Sequence, residues 1–545
     1  MAQTPAVTRL SPLGWVGLAA GAAVLAIAYM RTAIVAPDAE RFTFDSAEYA
    51  LAGRAWLDTG RLATPFVHPA VLGVAPGPPF PLVAGHPLVP ALYALAFAVA
   101  GRTEDATLLP PLLAFVACVL LVARLALGLS NSRAAALGAA AAFAVSPWAL
   151  AFATEGRSEM PFAELLTGAL LLLSEFPRAG PRLRLGGAPL AFGVTLGMAH
   201  LARPVVAPLL PAVALGVWLL SPPGRRVRFG LLALAGFVPL AVLTLLYKWA
   251  STGHPFFDVG GYLLLAGIAP EWSVTRLNRM TPPPDALAWI GAHSGRFAVK
   301  LARNLPAVVL GAWGHAGRWS GALAALGTAV ALARGARAAR ALALVLVIML
   351  VLLAMLAAAT VADPRMLFPL LPSALALGFA ALARLAEPLG STRRRAVVTA
   401  TLLAVSIAAM PLARAWRSRV SGARARPALP EGAPTASEWR ELGAHVAPLL
   451  PPGELVASDA APWIAWHTGR PVTLVPLEPA QLVDWPARWQ PAAVVLTNEW
   501  LVWQPLETSW RRLLERDEPP AGYRLAGRVR AGRLEAVVFT RSAAP

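Results

Sequence analysis

Long apolar segments separated by short polar connectors follow one another along most of the first 413 residues. Roughly 17 to 25 apolar residues suffice for a helix to span a bilayer, so the pattern predicts a polytopic α-helical membrane protein. We expect about eleven spans, over residues 11–31, 106–128, 134–152, 161–176, 187–202, 204–220, 229–249, 317–334, 341–361, 366–384 and 396–413. The first of them is too long for a signal-peptide core and is interpreted as a retained membrane helix.

The apolar segment "PLVPALYALAFAVA" (87–100) is short for a span and contains Pro87 and Pro90. If it crossed the bilayer, every later basic connector would change sides. We therefore interpret it as a juxtamembrane or re-entrant element.

Arginines fix the predicted orientation, because cytoplasmic connectors of membrane proteins are enriched in basic residues. With the basic connectors inside, the N-terminus lies inside and the C-terminus outside the cytoplasmic membrane. The segments that then meet on the outer face are the loops 32–105 and 250–316 and the turns at 152–162, 199–204 and 362–369. Polar residues able to do chemistry are thus predicted to converge on one side.

The pattern changes after the predicted transmembrane catalytic domain, residues 1–413. A basic linker at 414–426 precedes residues 427–545, where amphipathic helices alternate with short apolar strands such as "AAVVLTNEW". This alternation predicts a small extracytoplasmic α/β domain.

Composition supports the membrane assignment and limits the function. The chain is 57% hydrophobic and 14% charged with a mean hydropathy of +0.60, unlike an ordinary soluble domain. Its net charge of +18 comes largely from arginines in connectors, which is a topology signal and no indication of nucleic-acid binding. The single cysteine, Cys118, cannot form an internal disulfide.

Two acidic sites fall on the predicted outer face. In "RFTFDSAEYALAGRAW", the residues Asp45, Glu48 and Tyr49 share one face of a helix expected to end at Gly60. In "FATEGRSEMPF", Glu155 and Glu159 flank Arg157. Each site also has a purely structural interpretation, as an amphipathic surface helix or as acids that stabilise a helix N-terminus.

Basic residues lie at the same predicted depth: His200 and Arg203 in "GMAHLARPVV", Arg365 in "DPRMLFPLLP", and His86 in a "GHP" turn. Terminal arginines commonly snorkel to the interface. Beside two acidic sites, however, they favour a site that holds a phosphate next to a working carboxylate. The sequence contains no nucleotide-binding motif in a suitable context, which argues against a soluble nucleotide donor.

The order of these segments resembles the GT-C superfamily of membrane glycosyltransferases. The resemblance is strongest to the branch of the bacterial aminoarabinose transferases and the dolichyl-phosphate-mannose-protein mannosyltransferases. It rests on "DSAEYALAGRAWLDTGRL", "GHPLVPALYALAFAVAG", "EGRSEMPFAELL", "GMAHLARPVVAPLLP", "DPRMLFPLLPSALAL" and "WHTGRPVTLVP". Ser46 stands where the family has a second acid, and His86 stands where it has a lysine.

The resemblance implies transfer of a hexosyl or pentosyl group from a polyprenyl-phosphate donor to a hydroxyl of a lipid, glycan or protein, with inversion. Asp45 would be the general base, and Arg203, Arg365 and His86 would bind the donor phosphate. Glu159 would orient the acceptor or, with Asp45, hold a divalent cation, which the sequence does not decide. The remaining candidate substrate-binding residues are Glu48, Tyr49, Glu155, Arg157 and His200.

Two other functions stay open at this point. A transporter or flippase would place ionisable residues at mid-membrane, whereas here they cluster at predicted outer ends. A non-catalytic scaffold would present the α/β domain to a partner and would tolerate Asp45→Asn. In each case the surrounding membrane lipids are partners.

Overall fold

The structure is a computed structural model that describes residues 10–29, 42–82, 86–178, 187–257, 260–266, 268, 285–386, 397–398, 400–401, 434–499 and 508–542. Its helices are α1 Pro12–Tyr29, α2 Phe44–Thr59, α3 Pro69–Leu72, α4 Leu88–Ala100, α5 Leu109–Ser130, α6 Arg133–Ala144, α7 Pro147–Thr154, α8 Glu159–Ser174, α9 Gly187–Ala202, α10 Leu210–Leu220, α11 Arg226–Thr252, α12 Gly260–Leu265, α13 Ala286–Ala292, α14 Ser294–His315, α15 Arg318–Arg334, α16 Arg337–Ala359, α17 Leu371–Leu385, α18 Ala436–Val446, α19 Ala461–Thr468 and α20 Thr508–Arg516. The strands are β1 Ala63–Thr64, β2 Phe66–Val67, β3 Phe80–Pro81, β4 Val456–Ser458, β5 Val472–Leu474, β6 Ala493–Thr497, β7 Tyr523–Ala531 and β8 Leu534–Arg541.

Ten of the eleven predicted spans coincide with helices in the described chain. By length and composition, five helical segments there could cross a membrane, and α6 with α7 would make a sixth. Pro147 at the start of α7 explains why that pair bends by 59°, since proline cannot continue the hydrogen-bond ladder. The number of spans remains a prediction. The segment 396–413 and the linker 414–426 lie almost wholly outside the described residues.

The segment 250–316, predicted as an outer loop, contains the helices α12, α13 and α14. The 22-residue α14 packs against α16, where Asn304 Nδ2 donates to the carbonyl of Ala358 over 2.9 Å. Farther along, Gly311 lies against Pro364, so close that a Cβ at Gly311 would be 2.6 Å from Pro364 Cγ. The helix therefore borders the segment that begins at Pro364.

A six-stranded sheet has the order β2-β5-β4-β6-β8-β7. The first four strands run parallel, and β8 pairs antiparallel with both β6 and β7. The parallel strands alternate with helices and are fully buried, as such strands are when helices cover the sheet. The expected combination of a helical bundle and a C-terminal α/β region is confirmed.

One edge of the sheet comes from a distant part of the chain. Strand β2, Phe66–Val67, lies between α2 and α4 in sequence, yet it pairs with β5, and Val472 N donates to the carbonyl of Pro65 over 2.8 Å. The predicted domain of residues 427–545 is thus completed by an insertion from the N-terminal loop. The sheet therefore contains residues from both sides of the predicted boundary at 427.

The sheet and the bundle share a hydrophobic core. Residues of α2 and α4 such as Tyr49 and Tyr93 belong to the same buried cluster as Trp439 of α18 and Trp463 of α19. Beside it, the Arg54 guanidinium lies 4.4 Å from the centroid of the Trp466 ring and donates to the Trp466 carbonyl over 3.1 Å. Helix α2 is therefore held between the bundle and the sheet.

Candidate active site

Asp45 occupies the first turn of α2, and its position is fixed by a capping box. The Thr43 side chain accepts from Ser46 N, and the Ser46 hydroxyl accepts from Thr43 N over 2.7 Å. Ser46 is fully buried by this role. The helix ends at Gly60, as predicted, and Gly60 adopts the left-handed conformation. A carboxylate in a first helical turn is favoured by the helix dipole.

Two glycines bring the two acidic sites together. A Cβ at Gly53 would lie 2.8 Å from Tyr93 Cβ, so only glycine lets α4 approach α2 this closely. Gly156 has a φ of 66° and lies against Ser46, and its carbonyl accepts a short hydrogen bond from the Tyr93 hydroxyl. The turn that precedes Glu159 is thereby tied to the N-terminus of α2.

Four of the predicted residues form a continuous line of charge. Arg365 Nη1 donates to Asp45 Oδ2 over 2.8 Å, and Arg365 Nε lies 3.5 Å from Glu159 Oε1. On the far side, Arg203 Nη1 is 2.8 Å from the same Glu159 oxygen. Asp45 and Arg365 are 320 residues apart in sequence, so the fold alone creates this arrangement.

Glu159 is the buried centre of this line, with a side chain that is 1% exposed. Although both arginines are within ion-pair distance, neither Glu159 oxygen has a well-aligned hydrogen bond within the described chain. The same holds for Arg203 Nη1 and Arg365 Nε. These atoms are therefore held by charge–charge contacts rather than by aligned hydrogen bonds, and Arg365 Nε also lies against the Asp363 carboxylate.

Asp363 belongs to this site and was missed by the sequence analysis. Its carboxylate caps the 3₁₀ helix Pro364–Leu370 by accepting from Arg365 N over 3.0 Å, and it also contacts the Arg365 guanidinium. An aspartate directly before a proline is a common start of a helix, and that signal could have identified it. The Asp363 carboxylate thus contacts both the backbone N–H and the guanidinium group of Arg365, which fixes the position of that arginine.

The other predicted residues surround the line or lie just beyond it. Glu155 pairs with Arg157 over 3.1 Å. Tyr49 is buried beside His86, with ring centroids 6.3 Å apart. The His200 ring packs edge-on against Phe237 of α11.

Glu48 has a different partner from Asp45, although the two residues lie on one helix. It lies 3.5 Å from His68 Nε2, next to β2 and the sheet. Among the predicted residues, the structure therefore links Asp45, Glu159, Arg203 and Arg365 directly and leaves Glu48 at the sheet junction.

Charge and burial set the protonation of the site. Partial burial opposes ionisation of Asp45, which is 36% exposed, but Arg365, Arg157 and Arg203 outweigh it and hold its pKa below the ordinary value. Burial, assisted by the charges of Arg203 and Lys248, lowers the pKa of His86 to about 3, so its imidazole is neutral. Burial also raises the pKa of Tyr49, which keeps its hydroxyl protonated.

The carboxylates do not form a good site for a divalent cation. Asp45 and Glu159 are both already paired with guanidinium groups, and Ser46 is engaged in the capping box. Within the described residues no group of three or more His, Cys, Asp or Glu side chains could hold a metal ion. A hard cation prefers several oxygen ligands, so this site is built around arginines instead.

Comparison with known proteins adds a family and a fold. Residues 81–249 match the profile of the dolichyl-phosphate-mannose-protein mannosyltransferase family. Comparison with curated proteins gave no significant match.

Three solved structures are similar over most of the chain. The apo oligosaccharyltransferase of Archaeoglobus fulgidus is 12% identical with a TM-score of 0.57, covering 88% of this chain and 69% of that one. ArnT from Cupriavidus metallidurans bound to undecaprenyl phosphate is 14% identical with a TM-score of 0.51, covering 97% and 98%. The arabinofuranosyltransferase AftD from Mycobacteria is 20% identical with a TM-score of 0.52, covering 98% and 42%.

Identities this low show the shared fold alone, and the family profile spans only part of the chain. The profile match and the three structures point to the same fold. The chain has the GT-C fold of membrane glycosyltransferases, and its predicted resemblance to that superfamily is confirmed.

Proposed function

We propose that the protein transfers a sugar from a polyprenyl-phosphate-linked donor to a hydroxyl acceptor. The observation that carries this proposal is the line Asp45–Arg365–Glu159–Arg203, in which a partly exposed carboxylate stands beside two arginines at one end of the bundle. The family match and the fold support sugar transfer as the class of reaction. A lipid-linked donor suits a multi-pass membrane protein, because such a donor reaches the site through the bilayer.

The arginines provide the binding site for the donor phosphate. A guanidinium group can donate two parallel hydrogen bonds to phosphate oxygens, which makes arginine well suited to a leaving phosphate. Arg365 and Arg203 both contact the same Glu159 oxygen, so Glu159 holds the two guanidinium groups close together, and we place the donor phosphate beside them. Donors fixed in advance stabilise charge that develops in the transition state without having to reorganise. His86, being neutral, contributes a hydrogen bond and no charge.

Asp45 acts as the general base in this proposal. It removes the proton from the acceptor hydroxyl while the acceptor oxygen forms a bond to the anomeric carbon. The bond from that carbon to the phosphate oxygen breaks, and polyprenyl phosphate leaves. One displacement inverts the anomeric configuration, since Glu159 is fully enclosed by arginines and is not placed to attack as a nucleophile.

Donor binding would also activate the base. In the structure Asp45 is paired with Arg365, and that pairing lowers its basicity. A donor phosphate that takes over Arg365 removes this pairing, so the pKa of Asp45 rises and the carboxylate becomes a better proton acceptor. Glu159 keeps the two arginines together throughout. The acceptor hydroxyl is then activated only when the donor is in place.

The direction of insertion follows from the same proposal. We place the N-terminus inside and the sheet on the outer face of the cytoplasmic membrane, where nucleotide sugars are lacking and a lipid carrier is needed. The sugar, hexosyl or pentosyl, and the acceptor, whether lipid, glycan or protein, would be set by groups around Tyr49, Glu155 and Arg157.

The proposal is tested with purified protein, a mixed pool of radiolabelled polyprenyl-phosphate sugars and cell-envelope extract as acceptor. Release of polyprenyl phosphate by wild-type protein, reduced about 10²–10⁴-fold in Asp45→Asn, is expected for loss of a general base. Asp58→Asn is the matched control, because Asp58 lies on the same helix but pairs on the surface with Arg102. Equal release by all three proteins would refute the role of Asp45, and transport of intact donor across vesicles would favour a flippase.

A further inference from the structure

A second cluster of cations lies away from the acid–arginine line. A cavity of about 340 Å³ between the end of α12 and the first half of α14 is lined by Ile268, Gly295, Arg296, Val299, Lys300 and Arg303. Arg296, Lys300 and Arg303 are spaced i, i+4 and i+7, so they occupy one side of α14. Helix α14 contains no acidic residue. No described acidic side chain pairs with any of the three cations.

The three cations differ in their surroundings. The buried Lys300 ammonium donates to the carbonyls of Leu263 and Leu264 over 3.2 and 3.0 Å, which holds the end of α12 against α14. Arg296 and Arg303 are exposed, and Arg303 Nε contacts the neutral Asn304 side chain at 3.4 Å. Lys300 therefore builds the cavity wall, while the two arginines present positive charge to whatever occupies it.

An apolar stripe continues from the cavity along the same side of α14. Val299 at its edge is 68% exposed, and Leu310, three turns farther on, is 69% exposed. Trp313 extends the stripe and is also exposed. Positive charge at one end of this surface can contact a lipid headgroup, and the exposed apolar side chains farther along it can contact acyl chains. The surface is complementary to an amphiphile with an anionic headgroup.

We propose that this cavity binds the phosphate of an anionic phospholipid, whose acyl chains lie along the stripe from Val299 to Trp313. This ligand is distinct from the lipid-linked sugar donor. Arg296 precedes Gly311, the residue that contacts Pro364, by fifteen positions, or about 22 Å along the helix. A phosphate bound at Arg296 therefore cannot also reach Arg365. The bound lipid would hold α14 against the segment that carries Arg365.

The experiment uses delipidated full-length protein in detergent and measures lipid binding by native mass spectrometry. Phosphatidylglycerol is titrated in one arm and phosphatidylcholine in the other. We expect tighter binding of phosphatidylglycerol, and about 25-fold weaker binding of it by Arg296→Ala/Arg303→Ala, since each basic residue near an anionic lipid contributes roughly fivefold. Arg524→Ala/Arg530→Ala, which removes two exposed arginines of β7, is the control and should bind like wild type.

Further arms distinguish the sources of the phosphate. Inorganic phosphate should not displace phosphatidylglycerol, because it cannot use the apolar stripe; displacement would overturn the lipid assignment. Polyprenyl phosphate should bind wild-type protein and the Arg296→Ala/Arg303→Ala variant equally. If the variant lost affinity for polyprenyl phosphate alone, the cavity would be assigned to the lipid-linked sugar donor. Equal affinity of wild type and the double variant for phosphatidylglycerol would also refute the proposal. The thermal midpoint without lipid, expected to be unchanged, shows that the double variant is folded.

Discussion

Removing the guanidinium of Arg365 should separate the two carboxylates of the site from their common partner. In Arg365→Ala, Asp45 loses its 2.8 Å hydrogen bond, and Glu159 keeps only Arg203. Asp363 keeps its capping bond to the backbone of residue 365, so the 3₁₀ helix Pro364–Leu370 should still form. The substitution therefore tests charge at the site with little change in the local backbone.

The expected loss of activity follows from the role of Arg365 at the leaving phosphate. Removing one preorganised hydrogen-bond donor that stabilises developing negative charge raises the activation free energy by about 2.7–4 kcal/mol, which lowers kcat about 10²–10³-fold. The acid limb of the kcat/KM profile should also move. Arg365 is the strongest of the cations that lower the pKa of Asp45, so its removal raises that pKa and shifts the limb to higher pH.

The assay is steady-state release of polyprenyl phosphate between pH 3 and 8, with Arg102→Ala as the control. The range extends below pH 4 because the pKa of Asp45 in wild-type protein lies below 3.8. Arg102 pairs with Asp58 over 2.6 Å at the surface, where an ion pair contributes little, so this variant should keep wild-type rates. Arg365→Lys keeps the positive charge but removes the guanidinium geometry, because a lysine cannot contact Asp45 and Glu159 at the same time. A kcat within threefold of wild type in Arg365→Ala, with an unmoved acid limb, would refute the reasoning.

Three further predictions address the rest of the molecule. Glu159→Gln should lower stability by about 3–5 kcal/mol, because it leaves two arginines beside a neutral buried amide, whereas Glu159→Asp should lower it less; chemical unfolding in detergent measures both. Arg54→Ala should lower kcat several-fold with little change in KM, since the contact with Trp466 ties α2 to the sheet, and the exposed Arg61→Ala should not. Burial raises the pKa of Asp459 from 3.8 to about 7, so it binds a proton more tightly in the folded state. The stabilisation that protonated Asp459 contributes to the folded state is then complete below pH 4 and is lost as pH rises through 7. Asp459→Asn should therefore flatten this part of the pH dependence of the thermal midpoint.

The predicted sidedness indicated only that the candidate residues should lie at one end of the bundle. Asp45, Glu159, Arg203 and Arg365 were all placed at one end of the bundle by the alternation of apolar segments and basic connectors. Their pairing could not be predicted, because contacts between residues 320 positions apart depend on how the helices pack. Asp45 and Glu48 were expected on one face, but the fold gives them different partners, Arg365 and His68.

The elements that sequence patterns missed are those with weak periodicity. Strand β2 has only the two residues Phe66 and Val67 between prolines, too few to show alternation, and its pairing with β5 is decided by the tertiary fold. Helix α14 lies in a segment predicted to be an outer loop, because its basic residues and Pro306 interrupt the apolar pattern. The interior proline is tolerated in an otherwise regular helix of 22 residues.

The most direct test of the central claim compares polyprenyl-phosphate-linked sugars in cells that express wild-type protein, Asp45→Asn or Asp58→Asn at matched levels. If Asp45 is the base for transfer from a lipid-linked donor, one sugar-phosphate lipid accumulates with Asp45→Asn alone, and its mass identifies the sugar. Identical lipid pools in all three strains, with an unaltered cell envelope, would contradict the account.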